Sequence, residues 1–191
     1  MASRTRIVCL HEGTKGRSID PVFIRTLLRG LDPSWIRPWD GNNLIRAVAK
    51  AGRSSLIASL PDEIKIGRSI GSSLTLMVWA DMDDDMADGD ALKSVFWSRC
   101  KAAGISAQEF ESVIFVFAKD RLENWIEYLL EGATEEHQEG RKAGKYSKDQ
   151  RRARDAAKKL AESCKENNAL ANCPKSLSWS CQNWRKAAEQ F

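Results

Sequence analysis

Apolar runs alternate with amphipathic stretches along most of this chain, and that alternation sets its reading. Between Arg6 and Glu12, the short run Ile7-Val8-Cys9-Leu10 is closed on both sides by polar residues, the pattern of a strand buried on both faces. After the loop Gly13 to Asp20, Asp20 and Pro21 supply an N-cap and a proline at the first helical position. Phe23, Ile24, Leu27, Leu28 and Leu31 then recur at helical spacing until Gly30 and Pro33 close the segment. Trp35 to Trp39 predicts a second short strand with Pro38 at its end or on an edge. Leu44 to Ala51 predicts a helix with Leu44, Ala47, Val48 and Ala51 on one side. From Gly52 to Ser73 the signals conflict: Pro61-Asp62-Glu63 resembles a helix start, while Gly67 and Gly71 oppose a long one.

Leu74 to Ala80 is a near-continuous apolar run that stops abruptly at Asp81, the strongest strand signal in the chain. Ala91 to Ala103 carries Leu92, Val95, Phe96 and Cys100 at helical intervals, and Val113 to Ala118 reads as the next buried strand. Asp120 and Glu123 have capping-box spacing ahead of Leu122, Trp125, Ile126, Leu129 and Leu130, with Gly132 as terminator. Ala133 to Tyr146 predicts a long exposed loop. Ser147 and Gln150 then open a capped helix with Ala153, Ala156, Ala157, Leu160, Ala161 and Cys164 inward. The last segment, from Trp179, predicts a helix that returns Trp179 and Trp184 to the domain. The expected fold is α/β, a mostly parallel central sheet flanked by helices with a helical C-terminal extension. Residues 1–132 form the core, and 133–191 a basic loop and helices on the same domain.

Composition narrows the class. A chain of 191 residues buries roughly 70% of its unfolded surface in one core. It has 42% hydrophobic and 29% charged residues. No apolar run approaches the roughly 18–20 residues that cross a bilayer, and the run at the start is too short for a secretory leader, so a cytoplasmic protein is expected. The 5 cysteines include no C-x-x-C pair, and the 2 histidines, His11 and His137, are far apart. Reduced thiols are therefore expected and a zinc site is disfavoured. The net charge of +4 conceals an asymmetry: Asp81 to Asp90 holds six aspartates and no cation, whereas Arg141 to Leu160 holds nine Lys or Arg against Asp149 and Asp155. An acidic site in a basic protein suits divalent cations with a polyanionic substrate.

Three carboxylates stand out by position. Glu12 follows the first strand, and Asp81 and Asp83 follow a later one. Ligands of open parallel sheets gather outside the carboxyl ends of the strands, so both ends would face one crevice. If the chain stays extended, Asp81 and Asp83 point the same way. They would then hold a hard cation, with Glu12 adding an oxygen or handling a proton. An EF-hand is disfavoured, because Met86 falls where that loop needs glycine and Leu92 where it needs glutamate. Asp84, Asp88 and Asp90 read as a solvated loop and helix cap, Glu123 as a cap partner more than a catalyst, and His11 as a neighbour of Glu12. The basic stretch from Arg141 reads equally as an exposed helix face or a phosphate contact. Trp79, Trp97 and Trp125 fit the core, while Trp35 and Trp39 suit stacking or partner binding.

Glu12-Gly13 after one apolar strand and Asp81-Met82-Asp83 after another resemble the two signature motifs of the Toprim fold. The likeness is greatest to the stand-alone prokaryotic, OLD-nuclease-like members, several of which accompany ATPases in anti-phage systems. Lys119 to Ile126 is similar to the helix that follows a strand in those proteins. Tyr146-Ser147-Lys148 and Asn172 to Leu177 are similar to their C-terminal region. The resemblance implies a Mg²⁺ or Mn²⁺ site and a nuclease acting on RNA or DNA, with a separately encoded ATPase as a further partner. It implies Glu12 as general acid or base and metal group, Asp81 and Asp83 as metal ligands, and Asp85 as an auxiliary ligand. A lysine near the strand ends would stabilise transition-state charge, with Lys119 and Lys148 as candidates. No tyrosine is marked as a nucleophile, which favours hydrolysis over strand passage. A non-catalytic Toprim-like adaptor that binds an ATPase or nucleic acid is the alternative.

Overall fold

The apolar runs become strands that pair side by side. In the computed structural model, which describes residues 7–16, 18–31, 44–70, 74–136, 146, 148–166 and 170–189, and of 185–189 the backbone alone, four strands form one sheet. They are β1 (Ile7–His11), β2 (Ile45–Ala49), β3 (Thr75–Met82) and β4 (Ile114–Lys119). The order is β2-β1-β3-β4, and every pairing is parallel, with Ile7 opposite Ile45 and Thr75, and Met77 opposite Ile114. Such a sheet needs cover on both faces, and the helices provide it. They are α1 (Asp20–Gly30), α2 (Arg53–Ile70), α3 (Gly89–Ala102), α4 (Ala107–Glu111), α5 (Leu122–Glu131), α6 (Gln150–Lys165) and α7 (Lys175–Glu189). The result is a Rossmann-like α/β arrangement.

The two-residue period of the strands divides the apolar side chains between two cores. On one face, Cys9, Met77, Trp79, Val116 and Ala118 meet Phe23 and Leu27 of α1, Trp125 and Ile126 of α5, and Ala157 and Leu160 of α6. On the other, Leu10, Val78, Phe115 and Phe117 meet Leu56 and Leu60 of α2, Leu92 and Phe96 of α3, and Phe110 of α4. The helices beyond residue 132 complete the first of these clusters, through Ala153 to Ala161 of α6 and Leu177 and Trp184 of α7. No described helix is long and apolar enough to cross a membrane.

Several expectations are revised. The helix expected over Leu44 to Ala51 is strand β2; five paired residues beside β1 outweigh the helical leaning of its two alanines. The strand expected at Trp35 to Trp39 lies outside the described residues. The conflicted stretch after Gly52 is one 18-residue helix with Pro61 inside it. A proline there costs about 3 kcal/mol, which is outweighed by burying Leu56, Leu60 and Ile64, each worth about 1.5–3 kcal/mol. Asp120 does not cap α5: it takes a positive φ of 57°, and Arg121 holds the cap position, its side chain making no bond to the first turn. Helix α1 is capped at Ile19, with Asp20 already its first residue. Helix α6 is capped by Asp149, which accepts from the Arg151 and Arg152 amides at 3.0 Å, in place of Ser147. Tyr146, expected at the end of an exposed loop, is fully buried and donates its hydroxyl to Glu131. The expected tryptophan core holds for Trp79 and Trp125, while Trp97 is half-buried against Phe110.

Helix α7 closes the free side of β4 with a hydroxyl. Ser180 Oγ accepts from the Phe117 amide at 2.9 Å and donates to the Phe117 carbonyl at 3.0 Å, so one side chain does what a neighbouring strand would do. Ser180→Ala leaves both backbone groups buried and unpaired, and urea denaturation is expected to show a loss of about 2 kcal/mol.

Candidate functional site

Strand order places the site. From β1 the chain leaves through α1 toward β2, and from β3 it leaves through α3 toward β4 on the opposite side. The adjacent pair β1 and β3 is therefore the point where the winding reverses, and a crevice opens outside their carboxyl ends. That crevice has a volume of about 320 Å³. Glu12, Asp20, Asp81 and Glu123 all line it, above a floor that includes Trp79 and Val116.

Each carboxylate reaches the crevice for a local reason. Glu12 is the first residue beyond β1, and its Oε1 accepts the Asp81 amide at 3.0 Å, which joins the two strand ends. Asp81 is still inside β3, paired opposite Ala118, so it shares the face of Trp79, two residues earlier. Asp20 and Glu123 sit in the first turns of α1 and α5, where a helix returning along the sheet has just left the strand ends. Gly13 makes the close approach of α1 possible: a Cβ there would stand 2.4 Å from Asp20 Oδ2 and from Ser18 Cβ and Oγ. The Glu-Gly pair thus combines a carboxylate with the space its neighbours need.

Negative charge in the crevice is poorly compensated. Burial is the main force that raises the Glu12 carboxyl to about 7, with the Asp81 amide and Arg53 opposing and Asp83 and Asp20 assisting. Burial also drives Asp81 well above the carboxylate range, assisted by the carboxylates of Asp20, Glu12, Glu123 and Asp83. Glu123 is raised as well, by burial and by Asp20. Two ring nitrogens of neighbouring residues are buried without a hydrogen-bond partner among the described residues: Trp79 Nε1, and His11 Nδ1, which lies 3.4 Å from Asp20 Oδ2. Unpaired buried donors are rare and ask for an acceptor oxygen.

The other expected site residues stand elsewhere. Strand β3 ends at Met82, so the extended period that would keep Asp83 beside Asp81 stops, and Asp83 instead opens a turn whose carbonyl accepts the Met86 amide at 3.0 Å. Asp83 and Asp85 both face Arg53, at the start of α2: Asp83 Oδ2 is 3.2 Å from its Nη1, and Asp85 takes a two-pronged grip at 3.1 and 2.9 Å. Lys119, the last residue of β4, staples the acidic loop by donating to the Asp83 and Met86 carbonyls at 3.1 and 3.4 Å, with Asp84 Oδ1 at 3.5 Å. Lys148 is exposed in the turn ahead of α6. His137 lies outside the described residues. Among the described residues, no three or more His, Cys, Asp or Glu side chains stand together in a way that could hold a metal ion. The crevice donors are all oxygens, the chemistry of Mg²⁺, which retains waters and takes one or two protein carboxylates plus substrate phosphate. Glu12 and Asp81 fit that mode; a closed protein cage is not formed.

Asp20, Glu123 and Arg53 went unassigned in the sequence, where the first two read as caps and the third fell in a conflicted stretch. The available signal was position: each begins a helix that directly follows a strand, and in a doubly wound sheet those first turns surround the binding crevice. Compared with protein-family models, curated proteins and solved structures, the chain matches none of them.

Two outcomes are expected from this geometry. Gly13→Ala pushes Ser18 and Asp20 out of the crevice wall, and overpacking of this kind costs about 1–3 kcal/mol in urea denaturation. The folded chain keeps the Glu12 proton up to about pH 7, against 4.5 for the ordinary carboxyl, so its contribution to stability is fullest below 4.5 and is lost as pH rises to 7. Urea midpoints of wild type should therefore fall between about pH 5 and about pH 8, and Glu12→Gln should flatten the decline. Parallel profiles would contradict the assignment.

Proposed function

We propose that the crevice binds Mg²⁺ or Mn²⁺ and hydrolyses phosphodiester bonds of RNA or DNA in the cytoplasm, in the manner of a Toprim-like nuclease. The observation that carries this reading is the bond between Asp81 N–H and Glu12 Oε1. It sets two carboxyls, both raised by burial, at the reversal point of a parallel sheet, where clustered carboxyls offer oxygen donors. The ion, when bound, activates water and takes up charge on the leaving oxygen.

The chain's own groups do the rest. Glu12, with its carboxyl near 7, holds or releases a proton close to neutral pH, as a general acid or base must. Asp81 supplies the second cation-facing carboxylate. Asp20 and Glu123 each stand in the first turn of a helix, the end whose dipole favours negative charge. Trp79, whose Nε1 has no hydrogen-bond partner among the described residues, lines the crevice beside them. Outside the crevice, Arg151, Arg154, Lys158 and Lys159 form an exposed basic face on α6 that suits a phosphate backbone. A place beside an ATPase in an anti-phage system follows from the sequence resemblance alone.

The test is cleavage of RNA, tRNA and DNA with Mg²⁺ or Mn²⁺, with and without a partner ATPase. Glu12→Gln and Asp81→Asn are each expected to lower the rate by a factor of about 100 or more, without loss of the folded state. Wild type that binds nucleic acid or ATPase and cleaves nothing under any of these conditions would establish the adaptor reading instead. Replacing Arg151 and Arg154 together should reduce the salt dependence of nucleic-acid binding by about two units of slope.

A further inference from the structure

Asp83, Asp84 and Asp85 follow one another in the turn between β3 and α3, and three like charges so near in sequence repel each other in any compact arrangement. The turn closes all the same, with the Met86 amide donating to the Asp83 carbonyl at 3.0 Å. Against it stands the ammonium of Lys119, 3.1 Å from the Asp83 carbonyl oxygen, 3.4 Å from that of Met86 and 3.5 Å from Asp84 Oδ1. An ammonium has three donors and no acceptor, and three oxygens of one turn face this one. The Lys119 side chain is 11% exposed and that of Asp84 85%, so the cation is nearly enclosed while its carboxylate partner stays in solvent. The post that carries the charge is rigid. Lys119 lies opposite Met82 in the β3–β4 ladder, the Asp120 amide donates to the Met82 carbonyl at 2.7 Å, and the Lys119 carbonyl accepts from the Arg121 amide at 2.7 Å and from Asn124 Nδ2 at 2.9 Å. Arg53 meets the side chains of Asp83 and Asp85; Lys119 meets the backbone of the same turn.

We propose that the turn from Asp83 to Met86 is a monovalent-cation site, of the carbonyl-oxygen type that takes ammonium or K⁺, and that the chain fills it with its own Lys119 ammonium. Lys119 is then a positioning residue and not a catalytic one, because its donors are engaged by the turn. It fixes the point at which β3 leaves the sheet, just past Met82. Asp81, whose amide holds the Glu12 carboxylate, is the residue before that point. The site stands whether or not the crevice cleaves phosphodiesters; if the crevice does, Lys119 serves it only through the end of β3.

The test is amide hydrogen exchange of wild type, Lys119→Met and Asp84→Asn in NH₄Cl, KCl or tetramethylammonium chloride at equal ionic strength. Methionine keeps the apolar stem and vacates the Nζ position. In tetramethylammonium, which has no N–H and is too bulky for the turn, the Met86 and Asp120 amides of Lys119→Met are expected to exchange about ten to a hundred times faster than in wild type. The Lys50 amide, bonded to the His11 carbonyl at 2.8 Å on the far side of the sheet, keeps its rate. NH₄⁺ or K⁺ restores the first two amides toward wild type. Asp84→Asn removes only an exposed ion pair and changes them less than about fivefold. If neither ion restores them, or if Lys119→Met leaves them unchanged, the turn is no cation site and the proposal is overturned. Asp84→Asn as damaging as Lys119→Met would reduce the contact to an ion pair, and an equal acceleration at Lys50 would make Lys119 a support of the whole fold; either result overturns the proposal. In the unaltered protein, the ¹⁵N ammonium signal of Lys119 should resist exchange with water longer than those of the exposed Lys148 and Lys158, and equal rates would refute its enclosure by the turn.

Discussion

The parallel pairing of β1 with β3 is the constraint on which everything else in this molecule depends. His11 lies opposite Trp79 in that ladder, so the residue after β1 arrives level with the end of β3. That register lets the Glu12 carboxylate reach the Asp81 amide. A slip of one residue would send Asp81 to the opposite face, away from α1 and α5. The same pairing makes the chain depart in two directions, which is what opens a crevice there instead of closing it with a connecting helix. Fold and site are thus consequences of one ladder.

Much of the sheet was readable in the sequence because its central strands are buried on both faces and carry unbroken apolar runs, as in Ile7 to Leu10 and Leu74 to Ala80. Strand β2 was not readable. Among the described residues it pairs only with β1; it carries Arg46 exposed, and has a composition that local propensity assigns to a helix. Helix α2 was obscured by Pro61 and Gly67, whose penalties are local while the compensating burial of Leu56, Leu60 and Ile64 is tertiary. The site shows the same division. Glu12 and Asp81 were legible because each ends an apolar run. The fate of Asp83 was not, because it turns on where β3 stops pairing, at Met82 opposite Lys119.

Opposite charges in the site are kept in separate compartments. The carboxyls raised by burial, Glu12, Asp81 and Glu123, face the crevice between the sheet and the first turns of α1 and α5. The cations Arg53 and Lys119 make their direct contacts with the acidic loop outside it, although Arg53 also acts on Glu12. The interior therefore holds its carboxyls by burial, while Asp83, Asp84 and Asp85 of the surrounding loop are met by two cations. Burial of this kind disfavours the folded state slightly and makes the crevice receptive to whatever positive species can enter.

The Ser180 hydroxyl on Phe117 has a consequence beyond stability. An unpaired border strand invites another chain to add itself to the sheet, and here the β4 border is stoppered by a residue that belongs to the last helix of the same molecule. Growth of the sheet through β4 is thereby forbidden for as long as α7 stays docked. A chain cut short before residue 175 would uncover that border and, by removing Leu177 and Trp184 from the core beneath Trp79, would loosen the crevice floor in the same stroke.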